Sequence, residues 1–204
     1  MPIVVDKTKK KETIALACKA ILLESDLDNL TVSRIAKEAG IGKGTFYEYF
    51  ANKEELLFTL VSLLMQAYNE EQEKRLSRCA STRDKLKCFA GFFYEPQSAE
   101  LRTLYQKFVG ISLLHENEAM RAFQSECMAY YYRWFERLIE EGIQSGEIVA
   151  QTRRLAKGLF AMAKGMFTMA QTTDGIEDLQ HEIETFIDTL FDQLETTKKD
   201  KYVS

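Results

Sequence analysis

Thr31–Leu57 reads TVSRIAKEAGIGKGTFYEYFANKEELL, the pattern of two short helices about a glycine turn followed by a capped third. Val32, Ile35, Ala36 and Ala39 recur at helical spacing as an apolar stripe, and Thr31 stands where its hydroxyl can cap the first free amides. Gly40 ends that helix and Ile41 plugs the corner. Lys43–Tyr49 then form a second short helix, with Phe46 and Phe50 directed inward and Lys43, Thr45, Tyr47 and Tyr49 outward. A helix kept only for structure would show Glu, Lys and Gln to water. Short hydroxyl, phenol and amine donors converging on one face suit phosphates and base edges instead. Asn52 with Glu55 three residues on is a capping box for the next helix, and Lys53 in its first turn is placed to lean towards a phosphate.

Ile35–Leu56, IAKEAGIGKGTFYEYFANKEEL, resembles the TetR family of bacterial transcriptional regulators. The match runs from about Lys10 to Leu60 and includes Thr45-Phe46-Tyr47 in the recognition helix, then Tyr49-Phe50 and Asn52-Lys53-Glu54-Glu55. The resemblance implies an all-α protein of about nine helices. A three-helix DNA-binding domain over 1–52 would precede a helical effector-binding and dimerisation domain over 53–204. Thr31, Tyr47, Tyr49 and Lys53 are the candidates for phosphate contacts, and Lys43, Gly44 and Thr45 for base edges, Gly44 by letting the backbone approach the duplex. The family commonly has Ser at the cap of the recognition helix. Here it is Gly42, which contributes no side-chain acceptor.

Outside this stretch, composition narrows the alternatives. The chain has 204 residues, only two prolines and few glycines, so helices are expected almost throughout. No apolar run reaches the roughly 18 residues that spanning a bilayer requires, and no signal sequence opens the chain, so a cytoplasmic protein is expected. Cys18, Cys79, Cys88 and Cys127 are scattered without a C-x-x-C pair and read as reduced thiols, Cys18 as a small buried apolar residue. The formal net charge is −4, yet residues 1–55 hold nine basic and nine acidic side chains, so the acid excess lies in the remainder. Counterion release depends on local contacts, so an acidic total does not prevent tight DNA binding. Lys7, Lys9, Lys10 and Lys11 form a basic arm that suits either solvent or a phosphate.

The first helix is predicted over 8–23 and the fourth from Lys53 to about Arg78, a rod long enough to transmit motion. Further helices are predicted at 82–94, 98–114, 116–145, 151–172 and 175–196, with a frayed polar end over Thr196–Ser204. Leu179, Ile183, Phe186, Ile187, Leu190, Phe191 and Leu194 make a bundle stripe, and Gly158, Ala161 and Gly165 make a small-residue face that another helix can approach. Both faces fit an intramolecular core as well as a second chain. The resemblance implies the second chain, a homodimer whose last two helices form a four-helix bundle across a two-fold axis. Two recognition helices roughly 34 Å apart would then read a palindrome.

The middle of the chain is rich in aromatic residues, more than a small helical core readily absorbs. Rings with phenol handles and adaptable methionines suit an apolar or amphipathic ligand. Phe92, Tyr105, Tyr130, Trp134 and Met166 are the candidate wall residues of the effector site that the resemblance implies. Enzyme readings find no phosphate loop, no G-x-S-x-G elbow and no H-E-x-x-H pair. Asp178-x-x-His181 is faintly like half of a di-iron bundle site but lacks the rest, so no metal or cofactor is expected, and surface solvation is the role expected of His115 and His181. The reading that follows is a homodimeric repressor released by a small apolar or amphipathic effector. The alternative is an architectural or protein-interaction factor whose aromatic middle is solid core.

Overall fold

Asp6 opens the first helix: its carboxylate accepts from the amides of Thr8 and Lys9 at 3.0 and 3.3 Å, satisfying two of the donors that a helix start leaves free. The computed structural model describes residues 6–27, 29–114 and 116–194. These form ten α-helices: α1 Lys7–Ala17, α2 Lys19–Glu24, α3 Val32–Glu38, α4 Lys43–Tyr49, α5 Lys53–Leu76, α6 Thr82–Ala90, α7 Ala99–Leu114, α8 Glu118–Gln144, α9 Ala156–Thr172 and α10 Leu179–Leu194. Among the described residues there is no β-strand, and no helix is long and apolar enough to cross a membrane. The chain divides into two compact units. One holds residues 6–69 and Glu100–Phe123; the other holds Glu70–Ala99 and residues 124–194.

In the first unit, Ile14, Cys18, Leu22, Ile35, Phe46, Phe50, Leu56 and Leu60 are buried almost completely. Periodicity predicts one helix over 8–23, and the structure breaks it at Cys18, whose ψ is 2°. The Cys18 thiol points into the core towards the Ile35 carbonyl, 3.7 Å away, and burial pushes it up to about 11. That break is why ten helices stand where nine are predicted. Helices α5, α7 and α8 meet in this unit through Phe58, Phe108 and Phe123. Phe58 stacks on Phe123 at 4.6 Å, and Phe108 sits edge-on to both, a geometry that aromatic quadrupoles favour.

The second unit is built around Trp134, Phe135, Leu138 and Ile139 of α8, which pack with Phe160 and Ala163 of α9 and with Ile183, Ile187 and Phe191 of α10. Helix α6 closes one side. Its Ser81 hydroxyl accepts from the Asp84 amide, and the Glu147 carboxylate accepts from the Thr82 amide at 2.7 Å. Thr82 is buried against Gly142, where an added methyl group would lie 2.5 Å from its Oγ1. On the solvent side Arg83 pairs with Asp188 and Asp192, and Lys87 pairs with Asp188. The Lys87 ammonium holds the Asp188 carboxyl below its ordinary range.

Helix ends differ from the sequence prediction where caps intervene. The segment predicted as one helix over 82–94 tightens to a 3₁₀ turn at Gly91–Phe93. Asp178 accepts from the His181 amide at 2.9 Å and caps α10, so the Asp178-x-x-His181 spacing has a local reason, and the helix begins at Leu179 rather than 175. No group of three or more potential metal ligands is found among the described residues. His115 and Thr196–Ser204 lie outside them.

Candidate DNA-reading face and effector cavity

Helix α3 ends in a left-handed Gly40 with φ +66°. The Ile41 amide donates to the Ala36 carbonyl at 2.9 Å and the Gly40 amide to the Lys37 carbonyl at 3.1 Å, the paired bonds of a Schellman stop. A side chain at Gly40 would be strained there. This stop turns the chain through Gly42 into α4, which begins with no side-chain cap. The seven residues of α4 are therefore held by burial: Phe46 and Phe50 are 0 % and 1 % exposed and their rings meet at a tilt with centroids 5.4 Å apart.

The outward face follows from that anchoring. Lys43, Gly44 and Tyr47 are exposed, while Thr45 and Tyr49 are half-buried. Tyr47 stands edge-on to Phe46 and is 53 % exposed, its phenol free to reach outward. Nothing lies within 4 Å of a Cβ placed at Gly44. A glycine inside a helix costs about 1 kcal/mol relative to alanine, and internal packing gives no reason to bear that cost here. Thr31 caps α3 by accepting from the Arg34 amide at 3.3 Å, which leaves its hydroxyl proton available. Lys43, Gly44, Thr45 and Tyr47 thus share α4 with Tyr49, and Thr31 and Lys53 sit at the starts of α3 and α5.

Lys53 is half-buried and its ammonium donates to the Leu27 carbonyl. Three N–H groups leave two for another acceptor. The capping box forms with one change: Asn52 accepts from the Glu55 amide at 2.8 Å, but the Glu55 carboxylate reaches back to the Ala51 amide at 2.7 Å rather than to Asn52. Lys11 pairs with the same carboxylate and lies over the Phe50 ring at 5.3 Å. First the Lys11 ammonium and then the Ala51 amide hold the Glu55 carboxyl below its ordinary range. Of the basic arm, Lys11 is thus committed to bracing α4 and α5. Lys7, Lys9 and Lys10 stay exposed in the first turns of α1.

The second unit holds a partly open apolar cavity of about 40 Å³ among α6, the Gly91–Phe93 turn, α8, α9 and α10, lined by Phe89, Phe93, Phe135, Phe160, Met162 and Ala163 with flanking aliphatic residues. Four of the five candidate wall residues belong to this unit, and Tyr105 to the other. None of the five is in the lining. Trp134 is buried edge-on to Phe89 at 5.7 Å, and Phe92 is edge-on to Phe93 at 5.2 Å, so both stand behind lining rings. Met166 packs on the same core. Tyr130 is 42 % exposed, its ring 6.2 Å from that of Trp134. Phe89, Phe93 and Phe135 of the lining belong to the aromatic middle of the chain, and Met162 is one of its adaptable methionines, but none of these is among the five. The pattern missed here is that Ala163, small between large rings, leaves room.

The model for bacterial regulatory proteins of the tetR family matches residues 17–60. Over 144 residues the chain is 30% identical to the fatty acid metabolism regulator protein of Bacillus subtilis (strain 168), covering 70% of this chain and 72% of that one. The crystal structure of the transcriptional regulator FadR from Bacillus subtilis in complex with stearoyl-CoA superimposes with a TM-score of 0.64 at 25% identity, over 88% of this chain and 96% of that one. A TetR-family transcriptional regulator from Cytophaga hutchinsonii shares the fold with a TM-score of 0.78 at 14% identity, over 96% and 99% of the two chains.

Proposed function

We propose that this chain, which belongs to the TetR family of bacterial regulatory proteins and is a DNA-binding transcriptional regulator, acts as a homodimeric repressor that holds a palindromic operator until a long-chain acyl molecule enters its second unit. The observation that carries the DNA half is α4, whose inward side is spent on Phe46 and Phe50 and whose outward side offers Lys43, Gly44, Thr45 and Tyr47 without an internal use. Lys43, Gly44 and Thr45 read base edges; Thr31, Tyr47, Tyr49 and Lys53 hold phosphates. Selection of bound duplexes from a random library by the full chain tests this. A symmetric motif is the expected product, and recovery of no common sequence would defeat it.

Lys53 separates positioning from reading. Lys53→Ala should weaken binding to all duplexes alike and lower the slope of log affinity against log salt by about 1 per half-site, or about 2 per dimer. Preference among operators should survive. An unchanged slope would mean that the ammonium serves only the Leu27 carbonyl.

The dimer half rests on α9 and α10. Gly158, Ala161 and Gly165 are exposed along α9, nothing lies within 4 Å of a Cβ placed at Gly158 or Gly165, and Phe186 of α10 is 36 % exposed. The isolated protomer can therefore accept a leucine at Gly165, and helix propensity even favours it by up to about 1 kcal/mol. Gly165→Leu should leave the protomer folded yet shift sedimentation from dimer to monomer, with operator affinity falling in step. A mutant that stays dimeric places the seam elsewhere.

The effector half rests on the apolar cavity and on the stearoyl-CoA bound by a relative. An acyl chain fills several times 40 Å³, so entry must displace the lining rings, with Trp134 and Phe92 behind them. Binding that does such work on packed helices favours one arrangement of the protein over another, and this differential affinity is what lowers operator affinity.

A further inference from the structure

The turn between α5 and α6 brings two thiols together. Cys79 stands in that turn and Cys88 in the second turn of α6, both free and in hydrogen-bond contact with one another. Their surroundings hold them there. The Cys79 thiol donates to the Arg75 carbonyl at 3.5 Å. Gln72, only 1 % exposed, donates to the Cys88 carbonyl at 2.7 Å, and the same amide nitrogen meets the Cys88 sulfur at 3.7 Å. The Gln72 oxygen accepts from Arg75 at 3.2 Å, and Arg75 in turn pairs with Glu95. A buried amide and an ion pair thus clamp the end of α5 on α6 with the two sulfurs adjacent. The thiols are unequal. Burial pushes Cys88 up to about 11, with Arg75 opposing, and Cys88 is fixed within a helix. Cys79 lies outside both helices, between exposed Arg78 and Ala80. A disulfide needs Cβ atoms about 3.8 Å apart, and a turn residue can make that small approach without breaking a helical hydrogen bond.

We infer that Cys79 and Cys88 form a dithiol site for hydroperoxides, closed by oxidation to a disulfide that bears on the α6 wall of the apolar cavity. The Cys79 sulfur attacks one peroxide oxygen, the O–O bond breaks, and the leaving oxygen departs as water with the thiol proton. Cys79 is then a sulfenic acid. The Cys88 sulfur attacks it, the S–S bond forms as the S–O bond breaks, and the second water carries off the Cys88 proton. Two thiols are oxidised, and one hydrogen peroxide is reduced to two waters. Phe89, the residue after Cys88, lines the cavity with Leu86 and Ala90 of the same helix and stands edge-on to Trp134 at 5.7 Å. A bond made at Cys88 therefore acts one residue from the ring that Trp134 touches.

The test treats the reduced full chain with hydrogen peroxide, unfolds it, blocks the remaining thiols with iodoacetamide and digests it with trypsin without reductant. Two of the four cysteines should escape alkylation, and peptides 79–83 and 88–102 should be recovered joined, with Cys18 and Cys127 alkylated. Trp134 emission should change on the same time course and return with dithiothreitol, which reopens a disulfide but does not repair oxidised methionine. Cys79→Ser and Cys88→Ser should each lose the joined peptides and the reversible emission change. In Cys88→Ser the sulfenic acid at Cys79 has no partner, so dimedone should capture it. The measurement on the parent stands by itself if either variant folds poorly. Recovery of Cys79 and Cys88 as separate alkylated peptides, or joined to Cys127 or to a second chain, overturns the site. A disulfide that closes without any change in Trp134 emission overturns its bearing on the cavity wall.

Discussion

Phe46→Ala should abolish operator binding and destabilise the first unit by about 3–5 kcal/mol, the usual cost of emptying a phenylalanine site in a packed core. Phe46 is 0 % exposed and touches Phe50 and Tyr47. Helix α4 is only seven residues long, starts at Gly42 without a side-chain cap and ends at Phe50, and isolated helices of that length do not persist in water. Its helical state is therefore borrowed from burial of Phe46 and Phe50. Removing the first ring loosens the whole outward set of Lys43, Thr45 and Tyr47 at once, a larger effect than losing any one contact. Circular dichroism should show a transition lowered on the order of ten degrees or more, while core packing in the second unit is untouched. Phe46→Leu keeps most of the volume and should retain part of the binding, at a cost of about 1.5 kcal/mol or less. A Phe46→Ala protein that melts and binds as the parent does would show that α4 is held by something other than its buried face.

This helix pair was legible because each of its steps is local. Thr31 caps α3, Gly40 takes the left-handed turn, and Asn52 caps α5, and each is announced by a residue type whose chemistry has few other uses at that spacing. What depends on distant partners was not legible. Nothing near Cys18 marks the helix break there, and only the fold brings its thiol to the Ile35 carbonyl seventeen residues away. The pattern puts Lys11 among four similar lysines, and only the fold brings Glu55 to it. Lys107 looks like any solvated lysine of an amphipathic helix until α2 is laid beside α7 and its ammonium donates to the Leu22 and Ser25 carbonyls. The cavity was hidden for another reason: periodicity identifies which rings face inward but not whether they meet. Phe89 and Phe160 are two such rings, their centroids 6.5 Å apart, and Ala163 lines the same cavity.

Ala163→Phe should yield a regulator that binds its operator normally but no longer releases it. Ala163 is buried on α9 and lines the cavity with Phe89, Phe93, Phe135 and Phe160, so a ring there takes the space an acyl chain needs first. Inserting it into so small a cavity should cost about 1–3 kcal/mol, which a folded domain of this size withstands. The probe is stearoyl-CoA. In the parent it should lower operator affinity by roughly 5–150-fold, the range that ordinary coupling free energies span, and operator DNA should weaken its binding by the same factor. Trp134, the only tryptophan, touches Phe89 and so reports displacement of the lining as a change in emission. In Ala163→Phe both the release and the emission change should disappear, with the spacing and sequence of the operator unaltered. If the mutant releases DNA as the parent does, the acyl chain enters elsewhere. If the parent binds neither stearoyl-CoA nor shorter acyl thioesters and fatty acids, the aromatic middle is solid core, and the architectural reading replaces the effector-controlled one.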